Sequence, residues 1–143
     1  MYFQKLELHG FKSFAQNTVL DFQRGVSAVV GPNGSGKSNI ADAIRFVLGE
    51  QSMKSIRSKK GEDLIFSGST GKSRMNVASV AMYFDNQDKI FPFDFETVIV
   101  KRKIFRDGEN QYYINDSQVR LKDVAELIAK ARLGLRGYTV ISQ

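Results

Sequence analysis

The chain has 143 residues and a formal charge of +6. A chain of this length buries a sizeable core and forms one domain or part of one. It has no cysteine, which excludes disulfides and thiolate metal sites, and no run of about 18 apolar residues, so we expect no membrane span and a cytoplasmic protein. The basic excess suits a polyanionic partner, although an ordinary basic surface explains it equally well.

The first predicted elements are three strands. Leu6 and Leu8 alternate with polar residues, which is typical of a half-buried strand. Residues 10–14 interrupt the pattern, and a second strand is predicted over residues 19–22. Residues 26–30 form a short apolar run, which predicts a buried strand directly before a glycine-rich loop.

That loop, residues 31–38, reads Gly-Pro-Asn-Gly-Ser-Gly-Lys-Ser and fits the phosphate-binding P-loop, or Walker A, pattern G-x-x-x-x-G-K-[ST]. Its glycines let successive backbone N–H groups converge on phosphate oxygens. Lys37 is predicted to reach the β- and γ-phosphates of a nucleotide, and Ser38 to hold Mg²⁺. The other predicted nucleotide-binding residues of this segment are Pro32, Asn33, Gly34, Ser35, Gly36 and Asn39.

A helix is predicted after the loop, because apolar residues recur at helical spacing from Ile40 to Leu48. Gly49 stands where a glycine typically ends a helix. Strand, loop and helix therefore follow in the order that a P-loop requires, which argues against a chance match. Residues 50–71 are irregular, and we interpret the apolar patch at residues 64–66 as a short element between loops.

Hairpins dominate the second half of the chain. Strands are predicted around residues 77–84, 98–105 and 111–114, with an Asp-Gly turn signal at residues 107–108. An amphipathic helix begins at Leu121, and a last strand covers residues 138–141. This order differs from the repeated βαβ units of a kinase or GTPase. No strand ends in the Asp-Glu of a Walker B, so the sequence predicts one half of an ATPase site.

Several stretches together resemble the N-terminal head segment of the structural maintenance of chromosomes (SMC) proteins, most closely the prokaryotic form. They are residues 8–14, 30–40, 42–52, 63–68 and 138–143, so the likeness spans the whole chain. SMC proteins are ABC-type ATPases. The resemblance implies an α/β fold of the P-loop NTPase class: the N-terminal lobe of an ABC-type ATPase head, with a mixed sheet and an antiparallel hairpin subdomain.

The resemblance also implies what surrounds this lobe. Residues 1–143 correspond to the part from the Walker A to the Q-loop, and the C-terminal lobe, coiled coil and hinge lie outside it. In the family, the C-terminal lobe supplies the signature motif, the Walker B and a catalytic Glu. Two heads of a homodimer sandwich two ATP molecules with Mg²⁺. The implied partners are a kleisin subunit and double-stranded DNA, and the implied role is chromosome condensation and segregation at the nucleoid.

Five further residues receive roles from the resemblance. Gln143 resembles the Q-loop glutamine, which completes the Mg²⁺ shell and orients water, and Arg57 resembles an arginine placed near the nucleotide phosphates. Lys12 and Ser13 lie in a loop that approaches the nucleotide in related heads, and Asp63 is expected near the base or ribose. The alternatives are a polar strand end for Gln143, a solvated basic run for Arg57, an exposed turn for Lys12 and Ser13, and a helix N-terminal role for Asp63.

Basic residues on the surface are candidates for contacts with DNA phosphates, which position a protein without reading sequence. The candidates are Lys59, Lys60, Arg120 and Lys122, and a solvated face is the alternative. Residues 101–103 are also basic, but strand alternation divides them between two faces. His9 is assigned no chemistry. The alternating residues Phe91, Phe93 and Phe95 are predicted to be sheet core rather than a base-stacking platform.

Three other functions stay open from the sequence. A coiled-coil ATPase of double-strand-break repair, or a RecN-like relative, shares the Walker A but should differ around residues 10–14 and 49–52. A non-catalytic DNA-binding scaffold could use nucleotide only as a switch. A stand-alone P-loop kinase is the third, and the run of hairpins argues against it.

Overall fold

The structure is a computed structural model, which describes residues 2–14, 16–21, 35–49, 61–68 and 74–134. Its frame is a six-stranded sheet with a helix, α1, packed on one face. A second helix, α2, contacts the fifth strand. In chain order the elements are β1 (Tyr2–His9), β2 (Thr18–Asp21), α1 (Ser35–Val47), a 3₁₀ turn (Gly61–Leu64), β3 (Val77–Asp85), β4 (Thr97–Phe105), β5 (Asn110–Ile114), β6 (Ser117–Val119) and α2 (Leu121–Gly134).

The sheet has the order β2-β1-β3-β4-β5-β6, and every neighbouring pair is antiparallel. Strands β3 to β6 pair in sequence order, as the predicted hairpins require; short turns join β4 to β5 and β5 to β6, and a longer loop over residues 86–96 joins β3 to β4. This sheet is the antiparallel part of the predicted α/β fold. The two strands predicted over residues 26–30 and 138–141, on which the mixed character of the sheet depends, lie outside the described residues.

One face of the sheet and one stripe of α1 form the hydrophobic core. Alternate residues of β1, β3 and β4 point inward, because successive side chains of a strand face opposite sides. They meet the apolar residues of α1, whose spacing places them on one side of the helix. Each fully buried side chain of this kind contributes about 1.5–3 kcal/mol. The principal members are Leu6, Leu8, Ala43, Ile44, Phe46, Val47, Val80, Met82, Phe84, Val98 and Val100.

Most predicted elements are confirmed, including the division of residues 101–103 between two faces. Arg102 is buried, whereas Lys101 and Lys103 are only partly covered on the other face. The strand β6 was not predicted, since its three residues carry no clear apolar alternation. No helix in the ranges that the structure describes is long and apolar enough to cross a membrane.

The prediction that Phe91, Phe93 and Phe95 form sheet core is wrong as a description of the segment. They lie in the loop between β3 and β4, where Phe91 is fully buried and Phe95 is 53% exposed. The buried Asn86 side chain accepts from the Phe91 N–H and donates to the carbonyls of all three phenylalanines, at 2.9–3.3 Å. These bonds replace strand pairing, so alternation here does not indicate a strand.

Candidate functional site

The candidate site begins at the N-terminus of α1, which starts at Ser35 within the predicted Walker A. The last four residues of the motif, 35–38, therefore form the first helical turn, whose backbone N–H groups have no partner inside the helix. That turn contains no acidic residue, and an anion at this end is favoured by the helix dipole. Residues 31–34, and the side chains of Lys37 and Ser38, lie outside what is described.

The loop after β1 runs beside α1 in a tight conformation. Gly10 has φ 66°, and a Cβ there would lie 2.5 Å from the Val77 carbonyl oxygen, so only glycine fits without displacement. Lys12 has φ 50°, which is unusual for a residue with a side chain. The N–H of Phe14 donates to the Phe11 carbonyl at 2.8 Å and closes the turn.

Lys12 is held in this conformation by two strong contacts. Its backbone N–H donates to the Leu64 carbonyl at 2.7 Å, and its Nζ donates to Oδ2 of Asp42 at 2.7 Å. The side chain of Lys12 is 12% exposed and that of Asp42 is 1% exposed, so water screens this ion pair little. Arg45 lies 3.7 Å from the other Asp42 oxygen, one turn along α1. The pair fastens the loop to the P-loop helix.

A second contact joins the same two elements closer to the helix N-terminus. The side-chain amide of Asn39, which is almost buried, donates to the Ser13 hydroxyl at 3.0 Å. Because Asn39 follows Ser38 directly, Ser13 lies within about one helical turn of the predicted Mg²⁺ ligand. The predicted nucleotide-binding residues Ser13 and Asn39 are thus neighbours in space.

Asp63 belongs to the same neighbourhood. It lies in the 3₁₀ turn Gly61–Leu64 and is exposed, next to the residue whose carbonyl accepts from the Lys12 N–H. The following residues continue the contact, since the Phe66 N–H donates to the Gly10 carbonyl at 2.8 Å. Lys12, Ser13 and Asn39 therefore lie together where the loop after β1 meets α1, and Asp63 lies next to the residue that Lys12 contacts.

Sequence reasoning missed Asp42. It falls within a stretch that carries the SMC resemblance, but it received no role. The signal that could have found it is that Asp42 is the single acidic residue of α1 and stands next to the apolar residues Ala43 and Ile44. A buried acid needs a cation or several donors, so such a residue predicts a partner nearby.

The candidate DNA-contacting residues are only partly described. Arg120 immediately precedes α2, and its side chain is 76% exposed. Its N–H donates to Oδ2 of Asp123 at 2.9 Å, as in a capping box, and its guanidinium lies 3.4 Å from the other oxygen. Both contacts lower the pKa of Asp123, and the hydrogen bond from the Arg120 backbone N–H has the larger effect. Lys122 is exposed in the first turn of α2.

Four further predicted residues fall where the structure gives no description. Arg57, Lys59 and Lys60 lie in residues 50–60, and Gln143 and the strand before it lie in residues 135–143. Their roles stay predictions, as do those of Pro32, Asn33 and Gly34.

Comparison with known proteins agrees with this architecture. Residues 2–136 match the family model described as the RecF/RecN/SMC N terminal domain. The chain is 50% identical over all 143 residues to the chromosome partition protein Smc of Bacillus subtilis, and to that of Desulfitobacterium hafniense. It spans 12% of the length of each of these relatives.

Solved SMC heads have the same fold. The Smc head of Pyrococcus furiosus, solved bound to the C-terminal domain of ScpA, is 43% identical, with a TM-score of 0.86 over 91% of this chain and 33% of that one. A structure from work on ATP-driven dimerization and DNA-stimulated activation of SMC ATPases is 40% identical, with a TM-score of 0.90 over 100% of this chain and 87% of that one.

The recombination mediator RecF is more distant, at 21% identity and a TM-score of 0.59, over 83% of this chain and 28% of that one. That level of likeness shows a shared fold alone. The head architecture, the loop fastened to α1 and the SMC relatives agree: the chain belongs to the RecF/RecN/SMC N-terminal domain family and is of the SMC type.

Proposed function

We propose that this chain is the ATP-binding N-terminal lobe of an SMC head, which takes part in ATP-driven head engagement on DNA during chromosome condensation and segregation. The observation that carries the proposal is the start of α1 at Ser35 of the Walker A, beside the Lys12 loop that Asp42 fastens to the same helix. The name of the relatives, chromosome partition protein Smc, supports the cellular role.

The cofactors of this proposal are ATP and Mg²⁺. The Ser38 hydroxyl and the Gln143 side-chain carbonyl are the proposed metal ligands, and such hard oxygen donors suit Mg²⁺ together with phosphate oxygens. Lys37 would neutralise the β- and γ-phosphates, and Arg57 would add a guanidinium near them. The metal would supply electrostatic stabilisation of the transferred phosphoryl group.

The lobe is proposed to be one part of a composite site. A P-loop ATPase also needs an acidic metal ligand, and no predicted strand of the sequence ends in the Asp-Glu of a Walker B. We therefore assign the signature motif, the Walker B and the catalytic Glu to a C-terminal lobe, and the completion of the site to a second head. A similar structure comes from work on the ATP-driven dimerization of SMC ATPases, which supports this assignment.

The proposed partners follow from the same relatives. The similar head of Pyrococcus furiosus binds ScpA, which supports a kleisin subunit as partner. Double-stranded DNA is proposed to contact Lys59, Lys60, Arg120 and Lys122, and the net charge of +6 favours a polyanion. Arg120 and Lys122 are both exposed at the start of α2, so their cations are accessible.

Nucleotide binding by the chain tests the proposal directly. We expect a fluorescent ATP analogue to bind with Mg²⁺, and Lys37→Ala to weaken binding at least tenfold, because the lysine contributes a charge-assisted contact to phosphate. Lys101→Ala, on the far face of β4, removes a cation of the same type and should leave the affinity unchanged. Equal affinity of the wild type and Lys37→Ala would reject the proposed site.

A further inference from the structure

Arg102 is a charged residue in the middle of the hydrophobic core. It occupies an inward position of β4, between the buried Val100 and Ile104, and its side chain is 1% exposed. Its neighbours across the sheet are Val80 on β3 and Tyr112 on β5. Burial of a guanidinium is costly unless the surroundings satisfy it, so the groups around Arg102 indicate what it does.

The guanidinium of Arg102 contacts α1 in two ways. Its Nη1 donates to the Phe46 carbonyl at 2.9 Å, and its carbon Cζ lies 4.1 Å from the centre of the Phe46 ring. The ring of Tyr112 lies 5.2 Å away. A planar guanidinium can stack on aromatic rings and donate at its edge at the same time, which a lysine ammonium cannot reproduce.

The contact on α1 is at the C-terminal end of the helix. Phe46 precedes the last residue, and its carbonyl is one of the final four that have no partner within the helix. The Gly49 N–H donates to the same oxygen at 3.1 Å, and Gly49 has φ 100°, so the helix ends there. A cation at this end is favoured by the helix dipole, as a phosphate is at the other end.

The opposite side of Arg102 is tied to the β4–β5 hairpin. Its Nε donates to Oδ1 of Asn110 at 2.9 Å, and the Asn110 amide donates to the Gly108 carbonyl at 3.1 Å. Through these bonds Arg102 links the end of α1 to a turn that forms within the sheet. The helix is thus held along its length, at Asn39 and Asp42 by the loop after β1 and at Phe46 by Arg102.

We propose that Arg102 is a positioning residue for the nucleotide site: it fixes the C-terminal end of α1 on the sheet and so sets where the Ser35 end presents its N–H groups. This inference rests on the proposed ATP-binding function. The 13 residues of α1 span roughly 20 Å at about 1.5 Å per residue. A tilt of a few degrees about the contacts of Asn39 and Asp42 shifts the first turn by a fraction of an ångström, and misplacement of about 1 Å can cost about 10²-fold in activity.

Two variants of Arg102 and two control variants test this role in the head formed by the chain and its C-terminal lobe. Arg102→Met keeps much of the side-chain length and removes charge and donors, whereas Arg102→Lys keeps the charge and removes the planar fork. Lys101→Met makes the same change on the outer face of β4. Val100→Ala, an inward neighbour, lowers stability through a cavity alone.

The measurements are the affinity for a fluorescent ATP analogue with Mg²⁺ and the thermal midpoint without nucleotide. We expect Arg102→Met to weaken ATP binding about tenfold and Arg102→Lys about threefold, at midpoints no lower than that of Val100→Ala, which should bind ATP as the wild type does. Lys101→Met should change neither quantity.

Two results overturn the positioning role. One is wild-type affinity in both Arg102 variants. The other is a loss of affinity in Val100→Ala as large as that in Arg102→Met at an equal midpoint, since the role would then be one of stability only. If Arg102→Met does not fold, Arg102→Lys decides by the same comparison. Equal binding by the wild type and Lys37→Ala rejects the ATP-binding function itself, and the positioning role falls with it.

Discussion

Among single residues, the Lys12–Asp42 ion pair best explains how a loop and a helix distant in sequence are held together. Its N–O distance of 2.7 Å joins residues 30 positions apart, and both side chains are largely removed from water. Pairs of this kind contribute little net stability compared with an apolar pair of equal volume, but the loss of one partner leaves a buried charge. The structure therefore predicts an asymmetric response to mutation at this point.

Asp42→Asn should destabilise the chain by about 2–4 kcal/mol, because it leaves Lys12 without its carboxylate in a site with little water. Denaturant unfolding of the 143-residue chain measures this loss as a lower midpoint. Asp116→Asn, at an exposed turn position, is the matched control and should change stability by less than about 0.5 kcal/mol. Equal midpoints for the two variants would show that the ion pair is not formed in solution.

Gly10 and Gly108 offer a second test at the residue scale. Both have positive φ, but a Cβ at Gly10 would meet the Val77 oxygen at 2.5 Å, whereas a Cβ at Gly108 meets nothing within 4 Å. Gly108→Ala should cost about 1 kcal/mol from backbone strain, and Gly10→Ala about 2 kcal/mol more, since a backbone atom must move. Urea unfolding of both variants checks the order, and a smaller cost at Gly10 would contradict the tight turn beside α1.

Among the elements, α2 has an N-terminal end whose stability depends on pH. The Arg120 N–H and guanidinium lower the pKa of Asp123 below its ordinary value of 3.8. The carboxylate therefore stabilises the helix start above about pH 4, and this stabilisation is lost as the pH falls through the lowered pKa.

Hydrogen exchange of the first amides of α2 measures this effect. Protection should fall as the pH drops below about 4, after correction for intrinsic rates. Asp123→Asn should show weaker protection and no step with pH. A step of equal size in the variant would assign the titration to another group.

The elements also show where sequence patterns succeed and where they do not. Periodic apolar residues located β1, β3, β4 and α1, and Gly49 marked the end of α1 correctly. The pattern failed for residues 91–95, because Asn86 supplies the hydrogen bonds that a neighbouring strand would supply. A side chain that organises a distant backbone segment leaves no periodic signal, so local reasoning could not find it.

For the molecule as a whole, the motif predicts a nucleotide site at the start of α1, and the resemblance indicated the loop that lies beside this helix. Lys12, Ser13 and Asn39 were predicted and lie together. The roles of Asp42 and Arg102 could not be derived, since a period shows which face a residue occupies and not which atom of another element it contacts. Their partners lie 30 and 56 positions away in sequence.

At the scale of the whole molecule, the proposed DNA-binding surface can be tested by reversing its charges. Changing Lys59, Lys60, Arg120 and Lys122 to Glu should weaken DNA binding by the complete head and reduce its dependence on salt, because fewer phosphate counterions are released. ATP affinity should not change. Binding to duplex DNA across a range of salt concentrations, with Lys101→Glu as a control, gives the measurement. Unchanged DNA affinity in the variant that carries all four substitutions would reject this surface.

The central claim is that the chain forms one half of an ATPase site, and steady-state ATP turnover tests this claim most directly. The chain alone should bind ATP but show negligible turnover, and addition of the C-terminal lobe should produce turnover that rises per head with head concentration, since two heads are proposed to complete each site. Lys37→Ala should abolish it. Robust turnover by the chain alone, independent of its concentration, would contradict the account.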